Sequence, residues 1–260
     1  MMLTVDHLTV RYGDCEALTD CSFSAREGEW WMIVGPNGAG KSSLLRAVSQ
    51  AVPHAGGCAL CGAAMEQMKP RERAAQVAVL AQSHETPFAY TVEEVARLGR
   101  YAHRRPLRSE TAEDRAAVAE ALALTGLTEL KNARLNQLSG GEAQRAFLAQ
   151  VFAQQPRLLL LDEPANHLDI PYQRQIFDLI SAWAREPGHA VVAIVHDVAL
   201  ARRYGTHALL LRGGQTVAKG PMEAVLTPAN LRAVYGMDVA GWMREMYEGW
   251  QSALPGASGS

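Results

Sequence analysis

Nine consecutive residues, Gly35-Pro36-Asn37-Gly38-Ala39-Gly40-Lys41-Ser42-Ser43, have the composition and spacing of a backbone cradle for a polyphosphate. The pattern G-x-x-x-x-G-K-[ST] follows an apolar run, Trp31-Met32-Ile33-Val34. It precedes Leu44, Leu45 and Val48 at helical spacing, so both flanks suit a phosphate-binding loop. Glycines let successive N–H groups turn inward toward an anion, and the helix behind them presents unpaired N–H groups and the positive end of its dipole. In that setting Lys41 reaches the β- and γ-phosphates and Ser42 ligates Mg²⁺. An ordinary glycine-rich turn has no need of a lysine followed by a hydroxyl residue at this place.

Further along lie groups that such a site recruits. Leu158-Leu159-Leu160-Leu161 reads as a parallel strand buried on both faces, and it ends on Asp162-Glu163-Pro164. Two carboxylates at the end of a buried strand are costly unless they meet a metal, a proton or hydrogen-bond donors. Asp162 suits the Mg²⁺ shell and Glu163 suits polarisation of an attacking water; a solvated strand-end pair is the plain alternative. Ala190 to Val195 is a second buried-strand pattern. At its end stands His196, either a structural histidine or one lying where open α/β sheets bind ligands. Gln82 is a lone amide at the end of the run Val77 to Ala81. Tyr12, in Arg11-Tyr12-Gly13, either stacks on an adenine ring or is a strand-end tyrosine.

Leu138-Ser139-Gly140-Gly141-Glu142 leads into an evident helix over Ala143 to Ala153. Ser139 and Glu142 have capping-box spacing, which explains the serine and the glutamate but not the glycines. Each glycine in a first helical turn costs about 1 kcal/mol relative to alanine, so two in a row imply that another group comes close to the backbone. A helix N-terminus with bare N–H groups is an anion site, so Ser139, Gly140 and Gly141 read as a second phosphate-binding element.

The elements that must position these groups follow from the same pattern. Short β runs at Leu3 to Val10, Ala17 to Ala25 and Trp30 to Val34 are separated by Gly13-Asp14 and Glu27-Gly28 turns. Trp30 and Trp31 read as core or strand-face residues. A hairpin-like stretch runs through Gly56 to Gly62, and further strands at 208–211 and 215–218 flank Gly213-Gly214. Residues 83–137 turn mainly helical, with Val92 to Leu98 and Thr111 to Leu124, the latter opening on a Thr111/Asp114 capping box and closed by Gly126. This insertion reads as a helical subdomain carried on the nucleotide-binding core. Near the end, Trp242, Met246 and Trp250 form an i, i+4, i+8 stripe beside Met243 and Tyr247, which suits core or partner packing better than a membrane surface.

At 260 residues, 48% hydrophobic and 20% charged, the chain suits one large domain or two subdomains that share a core. A formal net charge of -2 gives no global footprint for nucleic acid, and none is expected as a partner. The arginines at 97, 100, 104, 105 and 108 read as a solvated helical face or a docking surface for a partner protein in preference to a nucleic-acid patch. No apolar run approaches the ~18–20 residues of a membrane span, and the first residues lack a signal-peptide layout, so a cytosolic protein is expected. Cys58 and Cys61 have C-x-x-C spacing, but Cys15 and Cys21 do not supply the second pair of a zinc site; reduced cysteines filling small apolar positions are expected.

Taken in order, Tyr12, Gly35 to Ser42, Gln82, Leu138 to Glu142, Leu158 to Glu163 and His196 resemble the ATP-binding subunits of ABC transporters across essentially residues 3 to 236. The fold that this implies is α/β, of the ABC ATPase type. It has a P-loop NTPase core, with a mixed sheet, flanking helices and an N-terminal antiparallel β subdomain, plus an inserted helical subdomain. Residues 1–82 and 139–236 would form the nucleotide-binding core, 83–138 the helical insertion, and 237–260 a C-terminal helix and tail. The resemblance implies a head-to-tail pair of chains, each ATP lying between Lys41 of one and Ser139-Gly140-Gly141 of the other. It assigns Tyr12 to adenine, Gln82 to Mg²⁺ and to coupling with the membrane partner, Glu163 to water activation and His196 to the γ-phosphate. Asn166-His167-Leu168-Asp169 matches the loop that communicates across the pair.

Gly99-Arg100-Tyr101-Ala102-His103, Asn166-His167-Leu168-Asp169 and Val234-Tyr235-Gly236 narrow the likeness to the ATPases of iron-siderophore, haem and cobalamin importers, with haem importers the nearest match. That likeness implies an ATPase acting with Mg²⁺ at the cytoplasmic face of the inner membrane. Its partners would be a second copy, an integral membrane permease and, indirectly, a periplasmic or surface substrate-binding protein. A non-transport ABC ATPase of metallocluster or complex assembly would use the same nucleotide motifs. A translation-associated ABC protein normally carries two cassettes in one chain, and a purely structural module would be expected to lose Glu163 or Ser139.

Overall fold

The computed structural model describes residues 1–81, 90–104 and 109–253. The strands are β1 (Leu3–Tyr12), β2 (Cys15–Ala25), β3 (Trp30–Val34), β4 (Ala55–Leu60), β5 (Ala63–Ala64), β6 (Val77–Leu80), β7 (Leu158–Asp162), β8 (Ala190–Ile194), β9 (His207–Arg212) and β10 (Gln215–Pro221). The α-helices are α1 (Lys41–Val48), α2 (Pro70–Gln76), α3 (Val92–Leu98), α4 (Ala112–Leu124), α5 (Gly140–Ala153), α6 (Ile170–Ala184), α7 (Val198–Tyr204), α8 (Met222–Val225), α9 (Pro228–Tyr235) and α10 (Val239–Ala253). Six strands form a mixed sheet in the order β10-β9-β3-β8-β7-β6, parallel except for the β9–β10 hairpin. Four form an antiparallel sheet in the order β2-β1-β4-β5.

The mixed sheet is covered on both faces, which is why β3, β7 and β8 are apolar at every position but the last of β7. Alternation along the strands then divides the core in two. Trp30, Met32, Leu159, Leu161, Val191 and Ala193 join one cluster with the helices α3 to α6. Trp31, Ile33, Leu158, Leu160, Val192 and Ile194 join the other, with α1 and the antiparallel sheet. The tryptophan pair is thus buried on opposite faces of β3. Trp30 stacks on Phe177 at 5.7 Å, and Trp31 lies 5.0 Å from Phe23 and 4.9 Å from His207.

The helical region is tied together by ion pairs rather than left as a basic face. Arg100 is buried and donates to Asp114 Oδ1, the Ala153 carbonyl and Gln155 Oε1, each at 2.9 Å. Arg97 pairs with Glu93 and Glu110. Arg100 is thereby removed from the expected solvated face, whereas Arg97 keeps a side chain 41% exposed; Arg105 and Arg108 lie outside the described residues. Burial alone would raise the Asp114 carboxyl, but bonds from the Thr111 N–H, Arg100 and the Thr111 hydroxyl outweigh it and hold it at about 2. The C-terminal stripe is also not core: Trp242, Met246 and Trp250 are about half or more exposed, and Met243 is the member that packs on the body. No helix among the described residues is long and apolar enough to cross a membrane.

Candidate functional site

The parallel strands β3, β7 and β8 deliver their C-terminal ends to one side of the sheet, where the phosphate-loop residues, the carboxylates and His196 meet. A cleft there is lined by Tyr12, Asn37, Gly38, Ala39, Gly40, Lys41, Ser42, Ser43, Glu163 and His196, with Asn166, His167, Gly213 and Gly214. Gly40 caps α1 at φ 94, and a Cβ there would stand 2.3 Å from the Ala17 carbonyl oxygen. A side chain is excluded twice over, by conformation and by space. The loop is held from behind by Gly214, whose N–H donates to the Ala39 carbonyl at 3.2 Å.

Lys41, the first residue of α1, folds back so that Nζ donates to the carbonyls of Gly35 (2.8 Å) and Pro36 (2.9 Å). Only 6% of it is exposed, and burial lowers its pKa, with Glu163 and Asp162 opposing the shift. A buried ammonium held by two carbonyls is a cation positioned in advance for an anion.

Asp162 ends β7, with Oδ1 buried and without a hydrogen-bond partner among the described residues. Burial, then the neighbouring Glu163, raises its pKa; the Ser42 hydroxyl, Arg46 and Lys41 act in the opposite sense. An orphaned carboxylate oxygen beside a hydroxyl is an all-oxygen donor set of the kind that fits Mg²⁺. Gln82, the third expected ligand, lies outside the described residues.

Glu163 adopts φ 53, in the left-handed region, and lines the cleft. Its Oε2 accepts from Asn166 Nδ2, and its Oε1 bonds His196 Nε2; that ring nitrogen carries the hydrogen, since a carboxylate only accepts. Tyr12 is 45% exposed at the end of β1, so it is both a strand-end residue and part of the cleft wall.

Ser139, Gly140 and Gly141 are not part of this cleft. Ser139 caps α5: its hydroxyl accepts from Glu142 N–H at 3.3 Å, and its own N–H donates to Glu142 Oε2 at 2.8 Å. Ser139 and Gly140 are exposed. Gly141 is buried against Tyr172, where a Cβ would come within 2.4 Å of the ring. The close approach expected from two adjacent glycines is therefore made at Gly141 by this chain's own α6, and at Gly140 the backbone is open. Sequence reasoning missed Asn166 as a partner of Glu163, Arg46 beside Asp162 and Gly214 behind the loop. The signal for the last was the Gly213-Gly214 turn itself.

A glycine-bounded loop on a parallel strand, a buried lysine and a carboxylate–hydroxyl pair define a P-loop nucleotide-binding protein. A sequence profile of the ABC transporter family matches residues 18–166, more than half of the chain. The chain is 41% identical over 244 residues to the hemin import ATP-binding protein HmuV of Pseudomonas entomophila, covering 92% of this chain and 94% of that protein. It is 36% identical to the ferric enterobactin transport ATP-binding protein FepC of Escherichia coli, covering 89% and 86%. It is 38% identical to the uncharacterized ABC transporter ATP-binding protein YvrA of Bacillus subtilis, where 91% of this chain spans 54% of that protein's length. Among solved structures, the ADP conformation of the cassette MJ1267 superposes with a TM-score of 0.80 at 20% identity over 90% of this chain and 98% of that one. The bacterial ABC transporter cassette MJ0796, solved as a dimer, gives 0.74 at 25% identity over 85% and 99%. The chain belongs to the ABC transporter family, as an ATP-binding subunit with the ATP-hydrolysing activity of that family.

Proposed function

We propose that this chain energises the import of an iron chelate, haem or cobalamin, by hydrolysing ATP as one of two head-to-tail copies bound to a membrane permease. It works at the cytoplasmic face of the inner membrane, fed indirectly by a periplasmic or surface substrate-binding protein. Residues 1–82 and 139–236 serve as the nucleotide-binding core, 83–138 as the helical insertion, and 237–260 as the terminal helix and tail. The observation that carries the reading is an incomplete site. Lys41, Ser42, Glu163 and His196 line one cleft, with Asp162 beside Ser42, whereas the exposed Ser139-Gly140 helix start is not part of that lining.

In this reading the loop N–H groups and Lys41 bind the β- and γ-phosphates, and Tyr12 lies against the adenine. Ser42, Asp162 and Gln82 would hold Mg²⁺, which would supply neutralisation of charge on the phosphate oxygens. Glu163 orients an in-line water and takes its proton, and His196 moves from Glu163 to the γ-phosphate. Ser139 and the N–H groups of Gly140 and Gly141 reach that phosphate from the second copy. ATP then favours the paired state because its γ-phosphate engages both chains only there. Purification from membranes should recover a permease with this chain, and in the reconstituted complex an iron chelate, haem or cobalamin should stimulate ATP hydrolysis. Recovery with soluble assembly scaffolds and no permease would favour the metallocluster reading instead.

A further inference from the structure

Away from the nucleotide cleft, three metal-ligating side chains meet at the edge of the antiparallel sheet. His54 immediately precedes β4, Cys58 lies within it, and Glu66 follows β5 by two residues. A ring nitrogen of His54, the Cys58 sulfur and a Glu66 carboxylate oxygen lie within 4.8 Å of one another. The geometry points to a binding site for one divalent transition-metal ion of the zinc type, ligated by His54, Cys58 and Glu66.

Four observations support it. His54 Nδ1 lies 3.1 Å from the Val52 carbonyl, which only accepts, so Nδ1 carries the hydrogen and Nε2 is the ring nitrogen on the side of Glu66. Nε2 lies 3.4 Å from Glu66 Oε1 and 3.5 Å from Gln50 Nε2, long contacts that a cation between His54 and Glu66 would replace. Glu66 Oε1 is also held by the Cys58 N–H at 2.7 Å. A ring N–H on a backbone carbonyl and a carboxylate on a backbone N–H are the outer contacts that orient metal ligands.

The third observation is the thiol. Cys58 is 2% exposed, and its sulfur lies within 4.8 Å of the donor atoms of both His54 and Glu66. Finally, the charges match: thiolate and carboxylate offset a divalent ion, with a neutral imidazole as third ligand. A sulfur, nitrogen and oxygen set suits Zn²⁺ or Co²⁺ and not the hard cations Mg²⁺ and Ca²⁺. As the sulfur–metal bond forms, Cys58 loses its thiol proton to solvent, one proton per ion. Five residues separate His54 from the end of α1, so the ion would fasten the segment leaving the phosphate-loop helix to the sheet. A protonated His54 paired with Glu66 would leave the thiol out, and the test separates the two.

The chelator-treated, nucleotide-free full chain is titrated with Co²⁺ in excess Mg²⁺, followed by near-ultraviolet and visible absorption, with the released protons measured in parallel. One Co²⁺ per chain is expected, with sulfur-to-cobalt charge-transfer absorption and the visible bands of a tetrahedral site, all removed by one equivalent of Zn²⁺. Cys58→Ser should abolish the charge-transfer band while leaving the circular dichroism of the fold. Exposed Glu66→Gln should weaken Co²⁺ binding at least about tenfold. Cys61→Ser, which removes the neighbouring exposed thiol, should change neither. No charge-transfer band, or one that survives in Cys58→Ser or disappears in Cys61→Ser, overturns the site.

Discussion

Two helix N-termini in this molecule offer N–H groups to an anion, and they are built in opposite ways. The start of α1 is assembled by long-range contacts: Lys41 on loop carbonyls, Asp162 and Glu163 from β7, His196 from the end of β8, and Gly214 behind the loop. The start of α5 is assembled locally, by a Ser139/Glu142 capping box, and has no basic residue in its first turn. One is a charged pocket with catalytic groups in place. The other is an exposed donor patch that completes a site only when set against another molecule.

The largest effect should come from Lys41→Ala, which should lower ATP hydrolysis by about 10²- to 10³-fold and also weaken ATP binding to the isolated chain. Ser139→Arg should lower hydrolysis comparably while leaving nucleotide affinity of the isolated chain unchanged in a fluorescence titration. Equal loss of affinity in both variants would put the two helix starts in one intrachain site and erase the difference between them.

The presentation of α5 rests on the Arg100 cluster, which joins α4 to the end of α5. Asp114→Asn should cost about 3 kcal/mol in urea unfolding at neutral pH, as for breaking one partner of a buried pair. Because the folded carboxyl is held at about 2, below the ordinary ~3.9, that advantage is complete above the ordinary value. It is lost as pH falls from there through about 2, so the wild-type and Asp114→Asn stabilities should converge across that window.

A smaller effect tests why α5 starts with glycine. Gly141→Ala sets a methyl against the Tyr172 ring and should destabilise by about 1–3 kcal/mol, read as a lower urea midpoint. Gly140→Ala meets Leu168 at an ordinary 3.8 Å and should leave the midpoint nearly unchanged, acting on hydrolysis instead.

What the sequence made legible follows the range of the interactions involved. The phosphate loop, the Thr111/Asp114 and Ser139/Glu142 caps, the buried strands β7 and β8 and the Gly213-Gly214 hairpin are local patterns, visible in runs of a few residues. The inward turn of Arg100 was hidden because its partners lie 14 to 55 residues away. The Glu163–His196 bond depends on the parallel register of β7 with β8, which a sequence does not display. Cys58 is set beside Cys61 in the sequence by C-x-x-C spacing. Its actual neighbours, His54 and Glu66, meet it only because β4 and β5 fold back on each other.

The central claim is that the α1 cleft is half of a site whose other half is the α5 start of a second chain. Sedimentation of Glu163→Gln tests it most directly, since slowed turnover leaves ATP in place. The account predicts a dimer with ATP and Mg²⁺, monomers with ADP, and monomers that still bind ATP when Ser139→Arg is added. A dimer that persists unchanged in the Glu163→Gln, Ser139→Arg double variant, or no ATP-dependent dimer at all, would contradict it.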